Sequence, residues 1–143
     1  GKSVEVRRGS RIAILVFGTR LEAALQASQL FNATVVDMRW VKPLDTEMVR
    51  KLANTHSLMV TVEDNAIAGG AGTGVAEWIS SKGLLIDTLH LGIEDKFLDH
   101  ATQETQYSWA KLDKDGIVSA INERLEASQY FDIGTERVNL EIN

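Results

Sequence analysis

The chain has 143 residues, 44% apolar and 24% charged, with a net charge of −5, a length and balance that predict one globular domain with its own core. It contains no cysteine, which excludes disulfide scaffolds, thiolate metal sites and thiol nucleophiles. Arg7, Arg8 and Arg11 are its densest basic cluster, too little to hold nucleic acid; no apolar run reaches the roughly 20 residues of a membrane span, no signal segment opens the chain, and a cytoplasmic protein is expected.

Val4 to Arg7 alternates and reads as an edge strand. Ile12 to Phe17 (IAILVF) is an unbroken apolar run ending at Gly18, the pattern of a strand buried on both faces. Leu21, Ala24, Leu25, Ser28 and Phe31 then recur near the 3.6 period of an amphipathic helix. Thr34 to Met38 (TVVDM) predicts a second buried strand, and Arg39 to Pro43 leaves it as a loop in which Pro43 keeps Lys42 out of helical geometry. Asp45 suits an N-cap with Glu47 in the first turn, and Met48, Val49 and Leu52 give that helix a buried stripe as far as about His56.

Leu58 to Val62 (LMVTV) predicts the next strand, followed by the glycine stretch, a helix from about Thr73 to Ser81, and Gly83 at its left-handed C-terminus. Leu84 to Leu91 (LLIDTLHL) reads as another strand closed by Gly92. Thr102 is placed to cap a short helix through Trp109, and Asp113 another in which Ile117, Val118, Ile121 and Leu125 face inward. Residues 128–143 show no clear period and are expected to form an irregular tail after a domain of residues 1–127. The alternation of strand and helix predicts an α/β sandwich with a mostly parallel sheet and helices on both faces.

In such a sheet ligands gather where loops leave the carboxyl ends of the strands. Those loops are Gly18-Thr19-Arg20, Arg39 to Lys42, Glu63 to Gly74 and Gly92 to Lys96. Residues 62–74, VEDNAIAGGAGTG, raise the possibility of a phosphate cradle. A dinucleotide fingerprint fails, because Gly70 and Gly72 are followed by Val75 where the third glycine belongs. A P-loop fails too: Gly69 and Gly74 have the spacing, but Val75 and Ala76 replace the lysine and the hydroxyl. Glu63 and Asp64 would repel a phosphate by about 1 kcal/mol per unit charge at 4 Å in water. The glycines therefore read as sites of close backbone approach, with anion binding as the alternative.

The rim and interface residues singled out are Arg39, Lys42, Glu63, Asp64, Asn65, Gly69, Gly70 and Gly72. Adjacent on an extended segment, Glu63 and Asp64 should diverge. Arg39 either clamps an anion or bonds to Glu63 or Asp64 across the rim. His56, His90 and His100 lack any metal-binding spacing and read as structural or surface groups. Trp40, Trp78 and Trp109 read as core or interface anchors. No G-x-S-x-G elbow exists, and no catalytic constellation is complete.

Val36 to Asp45 (VDMRWVKPLD), Thr61 to Val75 (TVEDNAIAGGAGTGV), Ile12 to Thr19 (IAILVFGT) and Ala101-Thr102-Gln103-Glu104 resemble the C-terminal domain of transketolase-type thiamine diphosphate enzymes. Within that group they look like the 1-deoxy-D-xylulose-5-phosphate synthases, over roughly residues 2–127. The pattern Arg39 to Asp45 is common to the wider group, while Asp64 to Ile67 with Gly69 to Gly72 favours the synthase. The resemblance implies a three-layer α/β/α sandwich with a five-stranded, mostly parallel sheet and an antiparallel edge strand. It implies a parent transferase that joins pyruvate to glyceraldehyde 3-phosphate, releasing carbon dioxide, for isoprenoid, thiamine and pyridoxal synthesis. Thiamine diphosphate and Mg2+ would be bound by N-terminal cofactor domains through a G-D-G motif that this sequence lacks. For this chain the resemblance implies a structural role at a homodimer interface, no catalytic, cofactor-binding or metal-ligating residue, and no activity in isolation. A start at Gly1 rather than Met leads to the expectation of either a processed chain or a piece cut from something longer. The alternatives are the C-terminal domain of a transketolase or a 2-oxoacid dehydrogenase beta subunit, and a free-standing module for small anions.

Overall fold

A computed structural model describes residues 1–94 and 102–142. The expectations for Asp95, Lys96, His100, Ala101 and the Trp109 side chain fall outside what is described. Among the described residues ten elements follow in chain order: β1 (Val4–Arg7), β2 (Arg11–Phe17), α1 (Leu21–Phe31), β3 (Thr34–Asp37), α2 (Thr46–Thr55), β4 (His56–Ala66), α3 (Ala71–Ser81), β5 (Asp87–Ile93), α4 (Gln103–Trp109) and α5 (Lys114–Ile142). The five strands form one sheet in the order β1-β3-β2-β4-β5, with β1 antiparallel to β3 and the other pairs parallel.

The unbroken apolar run Ile12–Phe17 of β2 explains the three layers. Ile12, Ile14 and Val16 of β2 pack toward α1 and α5 with Ala24, Ala27, Ile117 and Ile121. Ala13, Leu15 and Phe17 pack toward α2 and α3 with Val49, Leu52, Val75 and Ile79. A strand covered on both faces has to be apolar at every position. As expected, Asp45 caps α2: its Oδ1 accepts from Met48 N at 3.2 Å. Its Oδ2 also accepts from Ser3 N and Oγ at 2.9 and 2.7 Å, tying the segment before β1 to α2. Thr102 caps α4 through Thr105 N at 3.2 Å.

Three elements differ from expectation, and β5 also runs through Gly92, expected to close it, as far as Ile93. β4 continues past Val62 to Ala66, with Ala66 opposite Ile93, because the carboxylate of Glu63 finds a partner inside the fold. β5 begins at Asp87 rather than Leu84: Leu84 N donates to Ile79 O and Gly83 N to Ser80 O, with Gly83 at φ 66°. That double bond past a left-handed glycine is a Schellman close, so Leu84 ends α3 and does not begin a strand. Residues 128–142, expected to be irregular, continue α5 as far as Ile142; lacking proline, the segment keeps a helical backbone even though its apolar residues follow no single stripe.

Candidate functional site

The loops at the carboxyl rim meet where β2 crosses over to β3 on one side and β3 to β4 on the other, the crevice where open α/β sheets hold ligands. Here the chain's own carboxylates fill it. Glu63, 1% exposed, accepts from Ala71 N at 3.0 Å and Gly72 N at 2.7 Å. Those are the first amides of α3, which has no side-chain cap from its own N-terminal residue. A helix N-terminus carries free donors and a partial positive charge that attract an anion, and Glu63 supplies that anion from the sheet.

Asp64 turns the other way, as adjacent strand residues should. Its Oδ2 accepts from Thr19 N at 3.2 Å and Thr19 Oγ1 at 2.7 Å, ahead of α1. Thr19 Oγ1 lies 3.4 Å from Tyr107 Oη, Gln103 Nε2 donates to that hydroxyl at 2.9 Å, and the Arg20 guanidinium stacks 4.0 Å above the Tyr107 ring. Arg20 Nε also donates to Leu112 O at 3.1 Å. Thr19, Arg20 and Tyr107 thus join the rim without any sequence signal beyond their place in loops and helix ends.

The glycines take two roles. Gly69, at φ 69°, turns the chain in open space. Gly70 and Gly72 leave room for Glu63: a Cβ on Gly70 would meet Glu63 Oε1 and Ala66 O, and one on Gly72 would meet Thr61 Oγ1 and lie 2.8 Å from His90 Nδ1. Beneath Gly72, Thr61 Oγ1 and His90 Nδ1 are hydrogen-bonded at 2.6 Å. His90 Nε2 is buried without a hydrogen-bond partner among the described residues. Burial, and then the charge of Arg124, hold the His90 pKa below its ordinary value.

Asn65 is exposed. Lys42 is exposed beside Pro43, in a loop that Arg39 enters with φ 62°. Arg39 bonds to neither Glu63 nor Asp64, correcting that expectation. Its Nε lies 3.9 Å from Asp37 Oδ2, because Asp37 ends the same strand while Glu63 and Asp64 are occupied by α3 and Thr19. Trp40 and Val41, 54% and 48% exposed, stand beside it. Trp78 is half-buried on α3, 5.3 Å from the Arg50 guanidinium.

This chemistry does not suit thiamine diphosphate. The first amides of α3 are already met by the Glu63 carboxylate and Asp64 occupies Thr19 in the turn before α1, and both carboxylates would repel a diphosphate. Among the described residues no group of three or more acidic or histidine side chains is placed to hold a metal ion, and no helix is long and apolar enough to cross a membrane.

Residues 1–117 match the family described as transketolase, C-terminal domain. A 1-deoxy-D-xylulose-5-phosphate synthase of Stutzerimonas stutzeri (strain A1501) is 50% identical over 127 residues, covering 89% of this chain and 20% of that protein. The same enzyme of Chromobacterium violaceum is 50% identical over 125 residues, 87% of this chain and 20% of that protein. That of Pseudomonas aeruginosa (strain LESB58) is 47% identical over 126 residues, 88% of this chain and 20% of that protein. The chain therefore spans about a fifth of the length of the curated relatives it matches. Among solved structures, a chain described as a split gene transketolase, inactive beta4 tetramer, superposes with a TM-score of 0.79 at 27% identity, covering 85% of this chain and 41% of that one.

Proposed function

The chain belongs to the transketolase C-terminal domain family, and on that premise we propose that it is the C-terminal domain of a cytoplasmic, homodimeric 1-deoxy-D-xylulose-5-phosphate synthase. The parent enzyme joins pyruvate to glyceraldehyde 3-phosphate with thiamine diphosphate and Mg2+ held by its N-terminal domains. This domain supplies packing and interface surface to them, and does no chemistry alone. The carrying observation is identity of 47–50% to synthases over nearly nine-tenths of the chain, against 27% to the transketolase structure.

The rim supports the division of labour. Glu63 and Asp64 fill the places where a phosphate-binding module would keep donors free, which disfavours the free-standing anion module. Arg39 and Lys42 in the loop after β3, and Asn65, Gly69, Gly70 and Gly72 around the β4–α3 turn, then belong to a contact rim shaped from within.

A graft tests the reading. This chain replaces the matching C-terminal segment of the Pseudomonas aeruginosa synthase, and product formation from pyruvate and glyceraldehyde 3-phosphate is measured beside sedimentation. A dimer with turnover within about tenfold of the parent, a barrier change of about 1.4 kcal/mol, is expected. A folded, dimeric graft without turnover would defeat the assignment.

A further inference from the structure

We propose that a cleft at the amino edge of the sheet, opposite the glycine turn, binds a small molecule that carries one anionic group, phosphate or carboxylate, on an apolar body. The cleft has a volume of about 510 Å3 and lies between the starts of β2, β4 and β5, the end of α1 and the middle of α5. That volume is in the range of metabolite pockets. Ile12 and Leu58 are buried in its floor, and Phe31 and Leu125 pack against the same core as its walls.

Two arginines, Arg11 and Arg124, and one aspartate, Asp87, are among the residues that line the cleft beside its apolar ones. Arg124 Nη1 donates to Asp87 Oδ1 at 2.8 Å and Thr88 O at 2.7 Å, so that pair is internally balanced. The Arg11 guanidinium has no hydrogen bond or ion pair among the described residues, while its main-chain oxygen accepts from Ser57 Oγ at 3.1 Å. Two cations against one anion leave one positive charge in excess at the mouth.

The backbone singles out the same residue. Arg11 has φ 67°, and the β2–β4 register shifts between Arg11 and Ile12. The unpaired residue of that shift is Ser57 on β4, opposite the Arg11–Ile12 step, and on the β2 side a left-handed conformation away from glycine is destabilising on its own. The strand is irregular at the residue whose cation is left free. A guanidinium binds phosphate or carboxylate through paired N–H donors, and an apolar body would displace water from Ile12, Leu58, Phe31 and Leu125. The inference is independent of the synthase assignment, since it draws only on side chains of the opposite edge.

Titration of the full 143-residue chain with phenyl phosphate, followed by amide chemical shifts, tests it. Saturable shifts at Ile12, Leu58 and Asp87 with a dissociation constant of about 1 mM or tighter are expected, and inorganic phosphate, lacking the apolar body, should bind at least about tenfold more weakly. Arg11→Gly suits the left-handed backbone while deleting the cation, and should weaken phenyl phosphate binding about tenfold. Arg11→Asn, which also tolerates that backbone, gives the same loss and guards against a folding artefact in either variant. Shifts that fail to saturate, shifts centred on the glycine turn, or binding unchanged in both variants would overturn the proposal.

Discussion

Glu63 is the residue on which the rim turns, since one buried carboxylate satisfies two amides of α3. Removing it leaves both donors buried and unpaired, each worth about 1–3 kcal/mol. Glu63→Ala should therefore lower the unfolding free energy by about 2–4 kcal/mol, read from urea midpoints at constant slope. A loss under about 1 kcal/mol would show that water replaces the carboxylate. The glycines separate by what surrounds them. At Gly72 a methyl group meets Thr61, His90 and Glu63, whereas at Gly74 nothing lies within 4 Å. Gly72→Ala should destabilise by about 2 kcal/mol or more through overpacking, and Gly74→Ala, inside α3, should be neutral or stabilising by up to about 1 kcal/mol. Equal effects in the same urea assay would contradict the close-approach reading.

At the scale of elements, strands and helices were legible wherever local chemistry decided them. IAILVF announced a doubly covered strand, Asp45 and Thr102 announced their caps, and Gly83 announced the end of α3. What was illegible depended on distant partners. Nothing in VEDN tells which carboxylate folds inward; that is settled by α3 presenting its amides over β4. The run LLIDTLHL reads as one strand because its apolar residues are continuous, yet Leu84 closes a helix and Leu85 is 97% exposed. His90 likewise reads as incidental, although β4–β5 pairing places it against Thr61.

That pairing has a pH signature. Burial, foremost, lowers the pKa of His90 and of His56 below the ordinary 6.5. As pH falls through 6.5 the unfolded chain takes up these protons before the folded one does, so stability declines until the depressed folded values are reached. The lowered carboxylates act further down: for Asp45, whose ordinary value is 3.8, burial opposes the bonds from Ser3 and Met48 that prevail. For Glu5, ordinarily 4.5, the hydrogen bond from Arg8 leads. Urea midpoints between pH 7.5 and about 5 should fall with acidification, and His90→Gln should flatten part of that slope; an unaltered slope would remove His90 from the account.

For the whole molecule, the two rims differ in what they offer a partner. At the carboxyl rim the loop after β3 is held at its ends by buried Met38 and half-buried Leu44, and between them it presents Trp40 and Val41. Arg39 enters the loop in a left-handed conformation, and Trp40 N donates to Met38 O at 2.6 Å, so the loop's entry is shaped independently of any partner. A large aromatic offered on a fixed loop is the composition of an interface anchor. In the proposed synthase the other four-fifths of the enzyme must meet this domain somewhere, and this loop is where that contact should be strongest. Trp40→Ser should change the unfolding free energy of the chain alone by less than about 0.5 kcal/mol, since the ring is 54% exposed. In the grafted synthase the same change should lower turnover or assembly by about tenfold or more, the scale of a hot-spot residue. Leu85→Ser, just before β5 at the opposite edge, is the control and should leave both quantities unchanged despite removing a more exposed side chain. Equal damage from the two variants, or an intact graft with Trp40→Ser, would place the docking surface elsewhere.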